Sequence, residues 1–157
     1  MKKIDIYTDG ACTGNPGKGG YGAVLIYNNV EKEISGGYRL TTNNRMELIA
    51  AIEALKIVKE PCDITLYSDS KYLTDAINKG WLLNWKNNGW RKSDKKAVLN
   101  VDLWEELLTL MGRHNISFVW VKGHAGTKYN ERCDFLAVDE YTNNAVNLDL
   151  EYEEKQK

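Results

Sequence analysis

Four acidic residues of this chain have the side chains and the spacing that metal-dependent phosphoryl transfer requires. Asp9 and Asp69 each end an alternating apolar run, in the stretches YTDG and YSDS, so each is expected at the carboxyl end of a strand. Glu47 and Asp134 each fall near the beginning of a helical pattern. Four carboxylates that meet cannot all stay ionised without a counter-charge, and Mg²⁺ or Mn²⁺ prefers such oxygen ligands. Two such ions, about 3.5 to 4 Å apart, commonly serve in-line displacement at a phosphodiester.

Each of these acids also has a purely structural explanation. Glu47 could complement the helix macrodipole, an effect worth about 0.3 to 1 kcal/mol, and Asn44-x-x-Glu47 resembles a capping box. Asp134 can be explained in the same way, and an aspartate after a strand is often a turn former. The two matching strand ends favour a shared role for the acids over separate ones.

Two further candidates are a glycine-rich stretch and a histidine. Six glycines lie between residues 10 and 22, and glycine inside a strand weakens it unless another group must approach the backbone. This pattern predicts that a ligand approaches here, with Asn15 and the loop amides holding phosphates or sugars. His124, in the stretch VKGHAG after the last strand, can carry protons near neutral pH from a mobile loop. A solvated loop histidine is the competing interpretation.

A basic segment, residues 79–96, stands out from a chain whose net charge is only −1. It carries six lysine or arginine residues against one acid, together with three of the five tryptophans. Such charge gives nucleic-acid affinity that depends on salt and carries no sequence information, so Lys95 and Lys96 are expected at phosphates. Trp81 and Trp85, four residues apart, can pack on sugars or anchor a helix, and the anchoring role is favoured.

The periodicities around these residues predict an α/β fold. Short turns join the first three strands, so they are expected to be antiparallel, while helical crossovers later return the chain parallel to the sheet. A five-stranded mixed sheet flanked by helices results, with Asp9 and Asp69 on neighbouring strands. The strands are expected over residues 3–9, 20–28, 31–40, 63–69 and 116–123. The helices are expected over 44–59, 70–78, within the basic segment, over 101–114 and over 130–143, the last capped by Asn130.

Length and composition predict one domain over residues 1–144 and a mobile acidic tail over 145–157. There is no apolar run long enough for a membrane span and no leader-like N-terminus, so a cytoplasmic location without membrane partners is expected. Three widely spaced cysteines favour ordinary reduced thiols over a disulfide framework or a zinc site. Nothing indicates an obligate oligomer, and a monomer is expected.

Taken together, the motifs resemble the ribonuclease H family, in the bacterial ribonuclease HI form that has a basic protrusion. The resemblance rests on YTDGACTGNPGKGGYGA, TTNNRMELIAAI, SDSKY, NVDLWEEL, and WVKGHAG followed by NERCD, and it covers about residues 3 to 144. It implies a ribonuclease H-like fold and an endonuclease that cuts the RNA strand of RNA/DNA hybrids with Mg²⁺. The products would carry a 3′-hydroxyl and a 5′-phosphate.

The resemblance also implies roles for individual residues. Asp9, Glu47, Asp69 and Asp134 match the metal-binding carboxylates, and His124 matches a loop histidine that assists proton transfer or product release. The basic segment matches the protrusion that grips the DNA strand. The residues expected to contact the substrate are Gly10, Cys12, Asn15, Thr42, Asn43, Asn44, Lys71, Trp81, Trp85, Lys86, Lys95 and Lys96.

Two departures from the family pattern affect these expectations. Lys71 stands where a glutamine is common, and Thr127-Lys128-Tyr129 replaces a His-Pro-Glu-like stretch beside His124. A DNA-directed nuclease of the same fold and a hybrid-binding module without catalysis are the alternatives to hybrid cleavage. Because discrimination between RNA and DNA must rest on the 2′-hydroxyl, a comparison of duplexes separates them.

Overall fold

The computed structural model describes residues 1–123 and 127–156 and contains five strands and six helices. The strands are β1 (Lys2–Thr13), β2 (Gly17–Tyr27), β3 (Val30–Thr41), β4 (Cys62–Ser68) and β5 (Asn115–Trp120). The helices are α1 (Asn43–Ile57), α2 (Lys71–Asn78), α3 (Trp81–Asn87), α4 (Val101–Met111), α5 (Lys128–Asn143) and α6 (Leu150–Lys155). No helix in the described ranges has the length and apolar character needed to cross a membrane.

The strands form one mixed sheet in the order β3-β2-β1-β4-β5. Neighbouring strands are antiparallel from β3 to β1 and parallel from β1 to β5, which confirms the predicted fold class. The parallel register of β1 and β4 ends with Thr8 opposite Ser68. Asp9 and Asp69 therefore follow the same rung of the ladder and emerge at the same end of the sheet.

Helix α1 begins at Asn43, and its N-cap is Thr42, whose hydroxyl accepts a hydrogen bond from the Arg45 N–H at 3.2 Å. The capping-box explanation of Glu47 is therefore wrong, because Asn44 is already inside the helix. Met46, Leu48, Ile52 and Leu55 are buried and form much of the core. Glu47 is also buried, and it forms no salt bridge with a basic residue in the ranges 1–123 and 127–156, which is unusual for a buried carboxylate.

The glycines of β1 and β2 allow the backbones of helices to pack closely on the sheet. A Cβ added at Gly20 or Gly22 would lie less than 3.0 Å from a backbone oxygen of α5, that of Ala137 or Cys133. A Cβ at Gly10 would come equally close to the backbone of α1. The expectation that a ligand approaches this backbone is thus corrected at Gly20 and Gly22, since the approaching group there is the protein's own helix.

Helix α5 begins two residues earlier than expected. Its N-cap is Thr127, so Asn130 does not cap it, and Asp134 lies in the second turn of the helix. The aromatic ring of Tyr129 packs on Tyr7 with 5.1 Å between ring centroids, and its hydroxyl donates to Glu31. Contacts of this kind hold the first turns of α5 against β1 and β3.

The C-terminal segment, residues 145–157, makes several contacts with the domain through its described residues, and its mobility stays a prediction. Asn147 exchanges backbone hydrogen bonds with Gly37 and Arg39 of β3, and Asp149 is buried. Helix α6 follows, and its Glu153 accepts a bidentate hydrogen bond from Arg39. The weak apolar periodicity concealed this packing, because polar and charged contacts attach the segment to the domain.

Candidate active site

Three of the predicted acids meet where the pairing of β1 with β4 ends; β1 itself continues beyond Asp9 to Thr13, further than the predicted strand. Asp9, Glu47 and Asp69 each place a carboxylate oxygen within 4.8 Å of the others. Asp134 of α5 lines the same pocket, which has a volume of about 390 Å³. The four acids that the sequence indicated thus come from four elements, β1, α1, α5 and the turn after β4, and surround one space.

Mutual repulsion and burial disturb the acid–base behaviour of this cluster. Burial, followed by the charges of Asp69 and Asp134, raises the pKa of Asp9 to about 8. Burial also raises the pKa of Glu47 well above its usual range, with further contributions from Asp9 and Asp69 and a partial offset from the Gly10 N–H. In the absence of a cation, the cluster therefore holds protons at neutral pH.

The chemistry of the donors fits a hard divalent cation. All four side chains offer carboxylate oxygens, the ligands that Mg²⁺ and Mn²⁺ prefer. Glu47 Oε1 is buried and has no hydrogen-bond partner among the described residues. Because a buried carboxylate oxygen without a partner is costly, a bound cation would resolve an unfavourable feature of the site.

Asp69 is held in place by the turn between β4 and α2. The Trp120 indole N–H donates to the Asp69 carbonyl oxygen at 3.1 Å, and the Ser70 hydroxyl caps α2 by accepting from the Leu73 N–H. Lys71 lines the acid pocket, and its ammonium lies 4.8 Å from the centre of the Trp120 ring. Lys71 thus borders the pocket that holds the carboxylates, with its ammonium over Trp120.

The loop that carries His124 reaches this site at its described end. A Cβ added at Gly123 would lie 2.8 Å from Asp69 Oδ2, so the chain after β5 passes directly against the acid. His124 itself lies outside the described residues, and its role stays a prediction.

The predicted substrate residues near α1 lie together beside the acids. Asn43 and Asn44 are exposed and line the acid pocket. The Asn15 side-chain oxygen accepts a hydrogen bond from the Asn43 N–H at 3.1 Å, which attaches the turn between β1 and β2 to the start of α1. The Cys12 thiol lies 3.5 Å from the carbonyl oxygens of Gly17 and Thr41, and burial raises its pKa.

The basic segment forms a separate exposed surface. Lys86, Lys95 and Lys96 are exposed and do not line the acid pocket. Trp85 packs edge-on against the buried Trp104 with 6.0 Å between ring centroids, whereas Trp81 is 42% exposed. Trp85 therefore anchors α3 to the core, and the Trp81 ring is accessible to a ligand.

Sequence reasoning missed a buried ion cluster directly behind the start of α1. The Arg45 guanidinium, only 3% exposed, donates to Asp149 from Nε at 2.7 Å and to Asp102 at 2.8 Å. Burial alone would lower the pKa of Arg45, but these bonds raise it above the ordinary value. The arginine in TNNRMEL, at the start of an apolar helical pattern, could have indicated a buried ion pair. Its partners could not be identified, because they are distant in sequence.

Gly10 provides a test of how closely the acids must be held. We expect Gly10→Ala to destabilise the fold by about 1–3 kcal/mol, because the methyl group would push the start of α1 away from β1. The displacement would also separate Glu47 from Asp9 and weaken divalent-cation binding, measured by calorimetry. Gly112→Ala is the control, because its φ is −64° and the new methyl would make only ordinary contacts. Equal stability of the two variants would contradict the prediction.

Comparison with known proteins agrees with this fold and site. The family described as RNase H matches residues 1–142. A ribonuclease H of Syntrophus aciditrophicus is 62% identical over 137 residues, which are 87% of this chain and 79% of that protein. A ribonuclease H of Rippkaea orientalis is 58% identical over 98% of this chain and 94% of its own. The crystal structure of LC9-RNase H1, described as a type 1 RNase H with the type 2 active-site motif, superposes with a TM-score of 0.82 at 31% identity, over 99% of this chain and 81% of that one.

A mixed five-stranded sheet whose central strands bring together carboxylates that could hold a metal ion is an arrangement of hydrolytic nucleases. Within that class, the chain belongs to the ribonuclease H family.

Proposed function

We propose that this protein hydrolyses the RNA strand of RNA/DNA hybrids, leaving a 3′-hydroxyl and a 5′-phosphate. The strongest support is the meeting of Asp9, Glu47 and Asp69 around a partnerless buried oxygen in a member of this family. Another member of this fold, LC11-RNase H1, has a crystal structure in complex with an RNA/DNA hybrid, with a TM-score of 0.64 at 23% identity.

The four carboxylates would hold Mg²⁺, with Mn²⁺ as a substitute and two ions present when substrate is bound. The bound metal supplies a Lewis acid and lowers the pKa of water, which gives a nucleophile at neutral pH. The role of the protein is to hold the scissile phosphate at the acids, in line for displacement. The Lys71 ammonium attracts that phosphate. His124, which follows β5 in the sequence, would transfer a proton during the reaction or assist product release.

Substrate selection is assigned to the surfaces on either side of the acids. Asn43 and Asn44 are exposed at the pocket and can bond to sugars and phosphates, and the 2′-hydroxyl is the group that separates RNA from DNA. The lysines of the basic segment would bind the DNA strand through its phosphates, with Trp81 packing on a sugar. Affinity should therefore fall with salt for every hybrid sequence.

We also propose that the protein acts as a cytoplasmic monomer. One chain supplies all four acids, so the site needs no second copy. The three free thiols, Cys12, Cys62 and Cys133, fit a reducing compartment.

The function is tested with end-labelled duplexes. An RNA/DNA hybrid, an RNA duplex and a DNA duplex of one sequence are incubated with the protein in Mg²⁺, with EDTA as the control. We expect cleavage of only the RNA strand of the hybrid, and none in EDTA. Preferential cleavage of DNA would identify a DNA-directed nuclease, and binding without cleavage in Mg²⁺ and Mn²⁺ would identify a binding module.

A further inference from the structure

A groove of about 510 Å³ continues from the acid pocket and has the C-terminal helix as one wall. Asn44 lines both the pocket and the groove, so the two adjoin at this residue. The groove is bordered by Asn15 and Thr42 on one side and by residues 97–100, which follow the basic segment, on another. Tyr152 and Lys155 of α6 close it. The C-terminal segment therefore borders residues already assigned to the substrate.

Polar contacts on both sides hold α6 in this position. Asp149, just before the helix, accepts from Arg45 and from the Thr41 hydroxyl, both at 2.7 Å. Within the helix, Tyr152 lies over the Arg45 guanidinium, and Glu153 accepts from Arg39 at 2.7 Å. The wall is thus built into the domain, and its side chains have defined places in the groove.

The charges in the groove identify the side chain that is available to a ligand. The charge of Arg45 is matched by Asp102 and Asp149, so this buried guanidinium is not free for a phosphate. Lys155 is exposed and forms no salt bridge with any residue in the described ranges. The pKa of Asp102 is lowered overall, because hydrogen bonds from Arg45 outweigh the raising effect of burial. The Lys155 ammonium adds a smaller lowering effect. Lys155 is therefore an exposed cation on the lining of the groove.

We propose that α6 forms part of the nucleic-acid-binding surface and that Lys155 contacts a backbone phosphate of the bound hybrid. The occupant is a nucleic-acid strand, because the groove adjoins the acid pocket at Asn44 and the exposed Lys155 lines it. Amide and hydroxyl groups line the groove together with the apolar residues 97–99, which can pack on sugars. This inference rests on the proposed function and extends the binding surface beyond the acids and the basic segment.

The test compares Lys155→Ala and Lys155→Glu with Lys32→Ala and Lys32→Glu. Lys32 is an exposed lysine near the start of β3, at the opposite end of that strand from Thr41. Affinity for a labelled RNA/DNA hybrid is measured in EDTA at several salt concentrations. We expect Lys155→Ala to reduce the slope of log K against log salt by about 1, and Lys155→Glu to weaken binding by about tenfold. Slopes and affinities equal to those of the Lys32 variants would overturn the proposal.

A second arm locates the contact. Hybrids with a single uncharged methylphosphonate linkage, moved along either strand, are bound to the parent protein and to Lys155→Ala. At one linkage, the neutral substitution should weaken binding to the parent protein. The same substitution should hardly weaken binding to Lys155→Ala any further, because the phosphate and the lysine act as a pair. Additive losses at every linkage would contradict a direct contact. Cleavage of the hybrid by the parent protein in Mg²⁺ is measured with the same preparations. The absence of cleavage would count against the proposed function, whereas the binding data alone test the Lys155 contact.

Discussion

Asp9→Asn is expected to reduce hybrid cleavage by at least about 10³-fold while hybrid binding persists. The substitution keeps the shape of the side chain but removes a charged oxygen from the cluster of Asp9, Glu47 and Asp69. Loss of several kcal/mol of metal-dependent transition-state stabilisation corresponds to such a factor. Single-turnover cleavage in Mg²⁺ and binding in EDTA measure the two effects. The exposed Asp5 lies on the same strand, so Asp5→Asn is the matched control and should cleave normally.

The same substitution should stabilise the protein when no metal is bound. The folded-state pKa of Asp9 is about 8, above the ordinary value, so the folded protein keeps a proton that the unfolded chain releases. The parent therefore loses stability as pH rises from about 4 to about 8, and Asp9→Asn removes this loss. We expect a gain on the order of 0.5–2 kcal/mol at pH 8 and a smaller one at pH 5. Denaturant unfolding in EDTA at the two pH values measures it, and a variant less stable than its parent at pH 8 would refute this explanation.

Arg45→Met should destabilise the fold far more than the loss of an exposed arginine. It would leave Asp149, and in part Asp102, as buried carboxylates without their cation. Breaking a buried ion pair from one side costs about 3–5 kcal/mol. Denaturant unfolding measures the change, and Arg39→Met is the control because the Arg39 side chain is 59% exposed. Similar losses from both variants would show that burial does not decide the strength of these pairs.

A double variant distinguishes a lost interaction from an unpaired charge. Arg45→Met with Asp149→Leu removes the cation and its most buried partner together, so part of the stability should return. If the double variant is less stable than Arg45→Met alone, the two residues do not act as a pair. Because Arg45 lies two residues before Glu47, loss of this cluster should also weaken cation binding at the acids.

Local sequence patterns are enough to predict the mixed sheet and the meeting of the acids. The alternation of β1 and β4 is a local property, and so are the acids that follow the alternating runs. Helical crossovers make such strands parallel, which brings Asp9 and Asp69 to one edge without knowledge of any distant contact. The helical stripe that contains Glu47 is likewise readable from a few turns of sequence.

Three features depend on contacts between segments that are distant in sequence. They are the groups that approach the glycines, the attachment of the C-terminal segment, and the pKa values of the acids. Gly20 and Gly22 make space for α5, more than 100 residues later in the chain, and no local pattern distinguishes a helix from a ligand as the approaching group. Arg45 and Asp149 are 104 residues apart, so the attachment of the C-terminal segment has no local signature. The raised pKa of Asp9 depends on burial and on charges from other elements, and these exist only once the chain is folded.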